Sequence, residues 1–329
     1  MLKTEILKIL RQSDSYVSGQ DLCDRFGVSR TAVWKAVASL KKEGFNIDSV
    51  PNRGYLLVES PDVITSSEIE SRLTTKWLGR NVISFEELDS TNNELKRMYE
   101  QSADIPDGTL VVTESQAAGR GRRGRSWENE KGSSIAMSFI LKPSFAPWKA
   151  SMLTILAAMA VARAIDEIAD IDIKIKWPND VVCGGKKICG ILTEMSLEQD
   201  YIHYVIVGIG INVSTTSFSD EISAVATSVY KESGVKPARA ELIALVMKHF
   251  EALYTEYEKV QDLAPFEKEY NDRLAGIGSR VRVLDPKGEY EGISRGINST
   301  GELIVEKDDG EAVNVYAGEV SVRGIYGYV

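Results

Sequence analysis

Seven consecutive residues, Gly119-Arg120-Gly121-Arg122-Arg123-Gly124-Arg125, carry four arginines and three glycines. Glycine removes side-chain bulk and admits positive φ, so backbone there can approach a ligand closely. Arginine supplies planar, forked donors that match phosphate or carboxylate. An anion is therefore the expected ligand, and an empty loop of this composition is expected to be mobile, because fixing glycines costs entropy and like charges repel. Other polar clusters follow strand-like runs. Ser90-Thr91-Asn92 and Gln116 are neutral donors and acceptors. Lys176-Trp177-Pro178-Asn179-Asp180 places an amide and a carboxylate in one turn. Lys187 opens an apolar run with Gly190 three residues on, and Gly208-Ile-Gly-Ile-Asn212 ends another. Together these would supply a cationic loop, neutral hydrogen-bonding groups, and glycines that let a ligand come close to the backbone.

Each cluster also has a plainer reading. Ser90-Thr91-Asn92 alone is most simply a helix cap. The arginine loop alone is as well explained as a solvated surface loop or a nucleic-acid contact. It spells GxGxxG after a strand-like run, Thr109–Thr113, but no apolar helical period follows it, so the dinucleotide-binding reading fails.

The elements that position these groups divide the chain into three. In residues 1–64, Leu2, Ile6, Ile9 and Leu10 make one helical face. Ser18 begins a second helix with Leu22 and Phe26, Gly27-Val28 turns, and Ser29 caps a third from Arg30 to about Glu43. Val33, Val37 and Leu40 face one way on that helix. Thr31, Lys35, Ala38 and Lys42 face the other. Two strand-like runs, Phe45–Val50 and Tyr55–Val58, flank a Pro51-Asn52-Arg53-Gly54 turn. This reads as a winged helix-turn-helix that contacts DNA through Thr31, Lys35, Lys42 and the wing residue Arg53. Trp34, on the flank of the core stripe, reads as packing. A structural or protein-binding trihelical module is the alternative.

Residues 65–273 alternate strand and helix patterns. Ser66 is the expected cap of a helix over Ser67–Leu73. Met152–Ala169 is apolar almost all round and reads as buried, and Pro237–Val260 is amphipathic. A mixed, mainly antiparallel sheet with helices on one side is predicted. Residues 274–329 show short strands, Val281–Leu284, Gly288–Gly296, Glu302–Glu306 and Ala312–Val322, between turn clusters such as Asp285–Gly288. That pattern predicts a small SH3-like β-barrel. The fold class is thus α+β, in three domains.

Composition sets bounds. The 329 residues carry a net charge of −9, so general affinity for nucleic acid is not expected and any DNA contact is local. Within residues 1–60, however, basic side chains outnumber acidic ones nine to seven. Cys23, Cys183 and Cys189 are scattered and odd in number, which suits a reducing cytoplasm; the two histidines lie far apart and no transition-metal site is expected. No apolar run reaches the length of a membrane span, and no signal-peptide pattern opens the chain.

Taken in order, Ser-Thr-Asn, Gly-Arg-Gly-Arg-Arg-Gly-Arg, Lys-Trp-Pro-Asn-Asp and Lys-Ile-Cys-Gly-Ile resemble the motifs of the biotin–protein ligases. With the N-terminal helix-turn-helix, the whole chain resembles the bacterial bifunctional biotin ligases that also repress biotin operons. The resemblance implies a two-step reaction. ATP and biotin, with Mg2+, give biotinyl-5′-AMP and pyrophosphate; biotin then passes to a lysine of an acceptor protein, a biotin carboxyl carrier domain. It implies that Lys187, Arg122 and Asp180 are catalytic. It implies biotin binding by Ser90, Thr91, Asn92, Gln116, Gly119, Arg120, Gly121, Arg122, Lys187 and Gly190, with Arg120 and Arg122 on the carboxylate and adenylate phosphate. Nucleotide binding falls to Arg122, Arg125, Trp127, Lys176, Asn179 and Asn212, with Trp127 stacking on adenine. Asp180 and Asn212 would hold magnesium. The adenylate would also act as corepressor of a homodimer on an operator with two half-sites, in the cytoplasm. A non-catalytic ligand-sensing repressor and a lipoate ligase are the competing readings.

Overall fold

A computed structural model describes residues 2–199, 201–285, 288–317, 321–324 and 328–329. It begins with helices α1 (Leu2–Arg11), α2 (Gly19–Phe26) and α3 (Arg30–Lys42) and a two-stranded wing, β1 (Asn46–Val50) and β2 (Gly54–Glu59). The Ser18 hydroxyl accepts from the Gln20 and Asp21 amides, Ser29 accepts from Ala32, and Gly27 closes α2 at φ 61°. Ile6, Leu10, Leu22, Val33, Val37 and Leu40 fill the core of this unit. Thr31, Lys35 and Lys42 are exposed on α3, and Arg53 is exposed at the wing with its guanidinium 4.4 Å from the Tyr16 ring centre. Trp34 does not pack as expected: it is 61% exposed. Val33 and Val37 already fill the inward stripe, and a step of about 100° per residue carries Trp34 out of it.

The central unit comprises α4 (Ser66–Arg72), β3 (Val82–Leu88), α5 (Thr91–Gln101), β4 (Leu110–Gln116), β5 (Ser134–Leu141), α6 (Met152–Asp166), β6 (Ile173–Lys176), β7 (Asp180–Cys183), β8 (Lys186–Glu198), β9 (Tyr201–Asn212), α7 (Val229–Ser233), α8 (Arg239–Val260) and α9 (Glu267–Arg273). Thr65, not Ser66, caps α4. The seven strands run in the order β3-β4-β5-β9-β8-β7-β6, and every neighbouring pair except β3 and β4 is antiparallel.

Strand alternation gives the sheet two different faces. Leu110, Val112, Phe139, Leu141, Val205 and Val207 point into the main core with α6 and α8. Val111, Ile140, Tyr204 and Ile206 point the other way and meet Leu95, Met98 and Tyr99 of α5. Helices therefore cover both faces, not one as expected, because the apolar stripe of α5 is wide enough to cover part of the second face. The run Pro147–Asp166 is long and apolar enough to cross a membrane, but it is the core helix, enclosed by protein.

The last unit is a five-stranded antiparallel sheet, β10 (Arg280–Leu284), β11 (Tyr290–Ile297), β12 (Leu303–Glu306), β13 (Ala312–Val315) and β14 (Ser321–Gly324), ordered β13-β12-β11-β10-β14. The expected run Ala312–Val322 is thus two strands. Residues 318–320 within it, and 286–287 within the expected Asp285–Gly288 turn, lie outside the described residues. This sheet is pinned to the central unit where the Trp177 indole donates to Gly301 O at 3.0 Å. Gly301 has φ 80°, and a Cβ there would sit 2.7 Å from Ile155 Cδ1.

The linker between the first two units ends in a buried ion cluster. Arg239, 1% exposed, bonds Asp62 through Nε at 3.2 Å and Glu114 through Nη1 at 2.6 Å, and also donates to Asp62 O and Ser134 O. Arg239→Ala leaves two carboxylates without their cation. It is expected to lower unfolding free energy by about 3–5 kcal/mol in urea titrations.

Candidate ligand site

The second sheet face is only partly covered by α5, and the remainder is a cavity. Its floor is made of small residues of β5, β8 and β9: Ala136, Gly190, Gly208 and Gly210. A Cβ on Gly208 would lie 2.2 Å from Asn92 Oδ1, and one on Gly210 2.3 Å from Trp127 Cε2. The glycines were expected to admit a ligand. What approaches them here is the protein's own Asn92 amide and Trp127 indole.

One end of the cavity is neutral and polar. It is formed where α5 begins, beside the end of β4. Thr91 donates from its amide and hydroxyl to Gln116 Oε1 at 2.9 and 3.2 Å, and the Thr91 and Ser138 hydroxyls are 2.6 Å apart. Ser138 donates to Asn92 Oδ1 at 2.5 Å, and Asn92 Nδ2 donates to Glu194 Oε2 at 2.8 Å. Ser90 occupies the N-cap position but makes no capping bond with its side chain, so a simple helix cap does not explain this cluster. Glu194, Ser138 and Lys96 are absent from the sequence reading. Asn92 and Lys96 stand four apart on one helical face, a usable signal, but nothing local reveals that a carboxylate of β8 lies opposite. Glu194 also meets Lys96 at 2.7 Å and Arg120 at 3.0 Å. Burial raises its pKa, but the bonds from Lys96 and Asn92 outweigh burial and hold the carboxyl below its ordinary range.

The other end is cationic. Arg122 Nη1 donates to Asn179 Oδ1 at 3.0 Å, and Nη2 donates to Ala317 O beyond β13. Asn179 Nδ2 in turn donates to Ile191 O at 3.0 Å. Burial lowers the Arg122 pKa, with Arg123 and Arg125 adding to that and Asp180 opposing it. Lys187 Nζ lies 2.7 Å from Asp180 Oδ1 and 5.6 Å from the Trp127 ring centre. The Asp180 contact is an ion pair, and Oδ1 has no hydrogen-bond partner among the described residues. Lys176 joins them from β6. Burial, with Lys187, Arg323 and Arg125 nearby, brings its pKa down to about 8, and Asp180 only partly compensates.

The arginine loop is a small closed hairpin. The Gly121 amide donates to Arg125 O at 2.7 Å and the Trp127 amide to Gly119 O at 2.9 Å. Arg123 takes φ 57° and Gly124 φ 72°. The loop's arginines diverge. Arg122 points into the cavity, Arg120 sits on its rim with Glu194 and Asn93, and Arg125 lines the edge and is exposed. Gly119 is buried against the Trp127 carbonyl and does not line the cavity; Gly121 does. The Trp127 indole lies inside, over Gly190 and Gly210, with Nε1 buried and without a hydrogen-bond partner among the described residues.

One expected member does not join. Asn212, the last residue of β9, is buried and donates to Thr227 O at 3.0 Å, outside the cavity lining. Asp180 meets Lys187 through one oxygen and the Tyr328 hydroxyl through the other. Asp180 lines the cavity and Asn212 lies outside its lining, and no group of three or more His, Cys, Asp or Glu side chains that could hold a metal ion occurs among the described residues.

A helix-turn-helix, a half-covered mixed sheet with this divided cavity, and an antiparallel C-terminal sheet define the class: a DNA-binding module joined to a catalytic domain of the biotin/lipoate ligase type. Sequence profiles agree segment by segment. An HTH domain matches residues 3–56, the Biotin/lipoate A/B protein ligase family residues 84–212, and the Biotin protein ligase C terminal domain residues 276–323. The chain belongs to the biotin protein ligase family, in its bifunctional ligase/repressor form. It is 37% identical to the Bifunctional ligase/repressor BirA of Bacillus subtilis, over 98% of both chains. It is 27% identical to the protein of that name in Escherichia coli, over 95% of both. Among solved structures, a biotin protein ligase from Aquifex aeolicus in complex with biotin and ATP superposes with a TM-score of 0.65 at 30% identity, covering 74% of this chain and 99% of that one.

The low pKa of Lys176 gives a pH dependence with a definite sign. Its ammonium is present below about pH 8 and is lost as pH rises through that value. The KM for an anionic nucleotide is expected to rise several-fold between pH 7 and 9. In Lys176→Arg, which stays charged throughout, that rise is expected to disappear.

Proposed function

We propose that this chain activates biotin with ATP and transfers it to a lysine of an acceptor protein, and that the activated intermediate makes it a repressor. The observation that carries this is the division of one cavity into a neutral end, Ser90, Thr91, Asn92 and Gln116, and a cationic end, Arg122, Lys176 and Lys187. A ureido ring needs neutral hydrogen-bond partners. A carboxylate meeting a polyphosphate needs fixed positive charge to offset repulsion.

In the first step a biotin carboxylate oxygen bonds to the α-phosphorus of ATP, and pyrophosphate leaves. Lys187 offers its ammonium to the carboxylate and the bridging oxygen, which compete with Asp180 for it. Arg122, held by Asn179 and Ala317 O, stabilises the phosphoryl charge. Arg120 closes the rim. Arg125, Asn179 and Lys176 face the nucleotide, and Trp127 covers it if its indole gives up the place over Gly210. In the second step the acceptor amine attacks the carbonyl carbon, AMP leaves, and Asp180 receives the proton. Gly190 keeps the floor below Lys187 open.

Thr31, Lys35, Lys42 and Arg53 form the DNA-contacting surface in this reading. A homodimer promoted by biotinyl-5′-AMP binds two half-sites, and the acceptor, a biotin carboxyl carrier domain, competes by consuming the adenylate. A cytoplasmic location follows from these partners.

Incubation with biotin and ATP tests the reading: pyrophosphate and a biotinyl-adenylate mass are expected. Lipoate in place of biotin should give neither, and a purely ligand-sensing repressor would yield no pyrophosphate. Lys187→Ala is expected to lower pyrophosphate release by about 100-fold or more without unfolding the protein; release near the wild-type rate would remove Lys187 from the chemistry. Arg53→Ala should weaken binding to all DNA sequences alike and reduce the salt-dependence slope by about one.

A further inference from the structure

The Asp180 carboxylate and the Lys176 ammonium share a partner outside the sequence motifs. Tyr328 lies in the segment beyond β14, yet its side chain lines the ligand cavity. Its hydroxyl donates to Asp180 Oδ2, while Lys187 takes Oδ1. Its ring lies across Lys176, with Nζ 3.3 Å from the ring centre. We propose that Tyr328 is a positioning residue of the ligase site: its hydroxyl fixes the orientation of Asp180 and its ring holds the Lys176 ammonium inside the cavity. The proposal rests on the reading of Lys176 and Asp180 as working groups of the nucleotide end.

The chemistry of the phenol suits both tasks. Burial first, then the negative charge of Asp180, pushes the Tyr328 pKa up, so the hydroxyl stays protonated and can only donate to a carboxylate. A carboxylate bonded at one oxygen and ion-paired at the other is restrained in rotation, and its free lone pairs are aimed. A lysine on a flexible four-carbon stem is otherwise drawn towards water. An aromatic face offers it an attractive surface without neutralising its charge, which leaves that charge for phosphate. The position is also informative. Arg122 is held by Ala317 O, and Val322 and Arg323 line the same cavity. The C-terminal sheet and Tyr328 therefore complete the cationic end of a site whose floor belongs to the central unit.

The test separates ring from hydroxyl. Binding of α,β-methylene ATP in the presence of biotin, and turnover with biotin and ATP, are measured for wild type, Tyr328→Phe and Tyr328→Ala. Tyr328→Ala is expected to weaken analogue binding about tenfold and to lower kcat. Tyr328→Phe keeps the ring, so analogue binding should return to within about twofold of wild type while kcat stays about tenfold down. Biotin affinity and thermal midpoint should be unchanged by Tyr328→Phe, which carries the test if the alanine variant folds poorly. Wild-type kcat in Tyr328→Phe, or analogue binding in Tyr328→Ala as tight as wild type, overturns the proposal. Tighter binding in Tyr328→Ala overturns it too, because the ring would then obstruct the nucleotide. Wild-type protein that makes no adenylate would instead sink the ligase reading, and the analogue titrations would still report on Tyr328.

Discussion

One sheet face has to be two things at once, and the rest of the site depends on how that conflict is resolved. Part of the face is an apolar floor for α5. The remainder is a hollow. The division is written in strand register. Ala136 pairs with Gly210 and Ser138 with Gly208 across β5 and β9, and Gly190 pairs with Gly210 across β8 and β9. Three adjacent strands thus place their smallest side chains side by side. Because side chains alternate with period two, a slip of one residue would replace this hollow with neighbours such as Met137, Ile191 and Ile209. Those side chains instead point into the core shared with α6 and α8, which fixes the register.

Once the hollow exists, electrostatics divides it. The carboxylates Glu194, bonded to Asn92, and Asp180, in the cavity wall, hold different cations. Glu194 gathers Lys96, Arg120 and the Asn92 amide around the neutral end, whereas Asp180 holds Lys187 near Lys176. Without these counter-charges, lysines and arginines in a half-buried cavity would repel one another and turn to solvent. An incoming anion competes for cations already in place, and little rearrangement is needed at the moment of reaction. The Arg239 cluster ties the same domain to the DNA-binding module. Glu114, two residues before Gln116 on β4, shares Arg239 with linker residue Asp62, and Asn129 bridges Glu114 O and the Gln116 amide. The linker and the neutral end of the cavity are thus joined by a continuous set of hydrogen bonds.

Much of this was legible in the sequence, for identifiable reasons. The helix-turn-helix has capping serines and clean apolar periods. The arginine loop and Lys-Trp-Pro-Asn-Asp are dense local motifs, and α6 announces itself by being apolar all round. What was hidden depends on tertiary pairing. Nothing near Glu194 or Ser138 in the chain marks them as partners of Asn92, because the contacts cross the sheet. Tyr328 stands nearly 150 residues from Asp180, with no motif around it. Asn212 looked like a ligand because it follows glycines at a strand end, but its amide turns to Thr227 O. Trp34 looked like packing because it flanks the core stripe of α3, yet that stripe was already full. The short elements β7, α7 and α9 were missed because four to seven residues carry too little period to separate from a turn.

The hollow beside Asn92 is where the ureido ring should sit, and titration calorimetry of biotin into Gly208→Ala probes it. The added methyl would sit 2.2 Å from Asn92 Oδ1, so the amide has to leave its place at the neutral end. If that end binds the ureido ring, biotin affinity falls by about 100-fold, with circular dichroism and DNA binding unchanged. Wild-type biotin affinity in a folded Gly208→Ala protein would mean that biotin binds elsewhere, and the division of the cavity proposed here would be wrong.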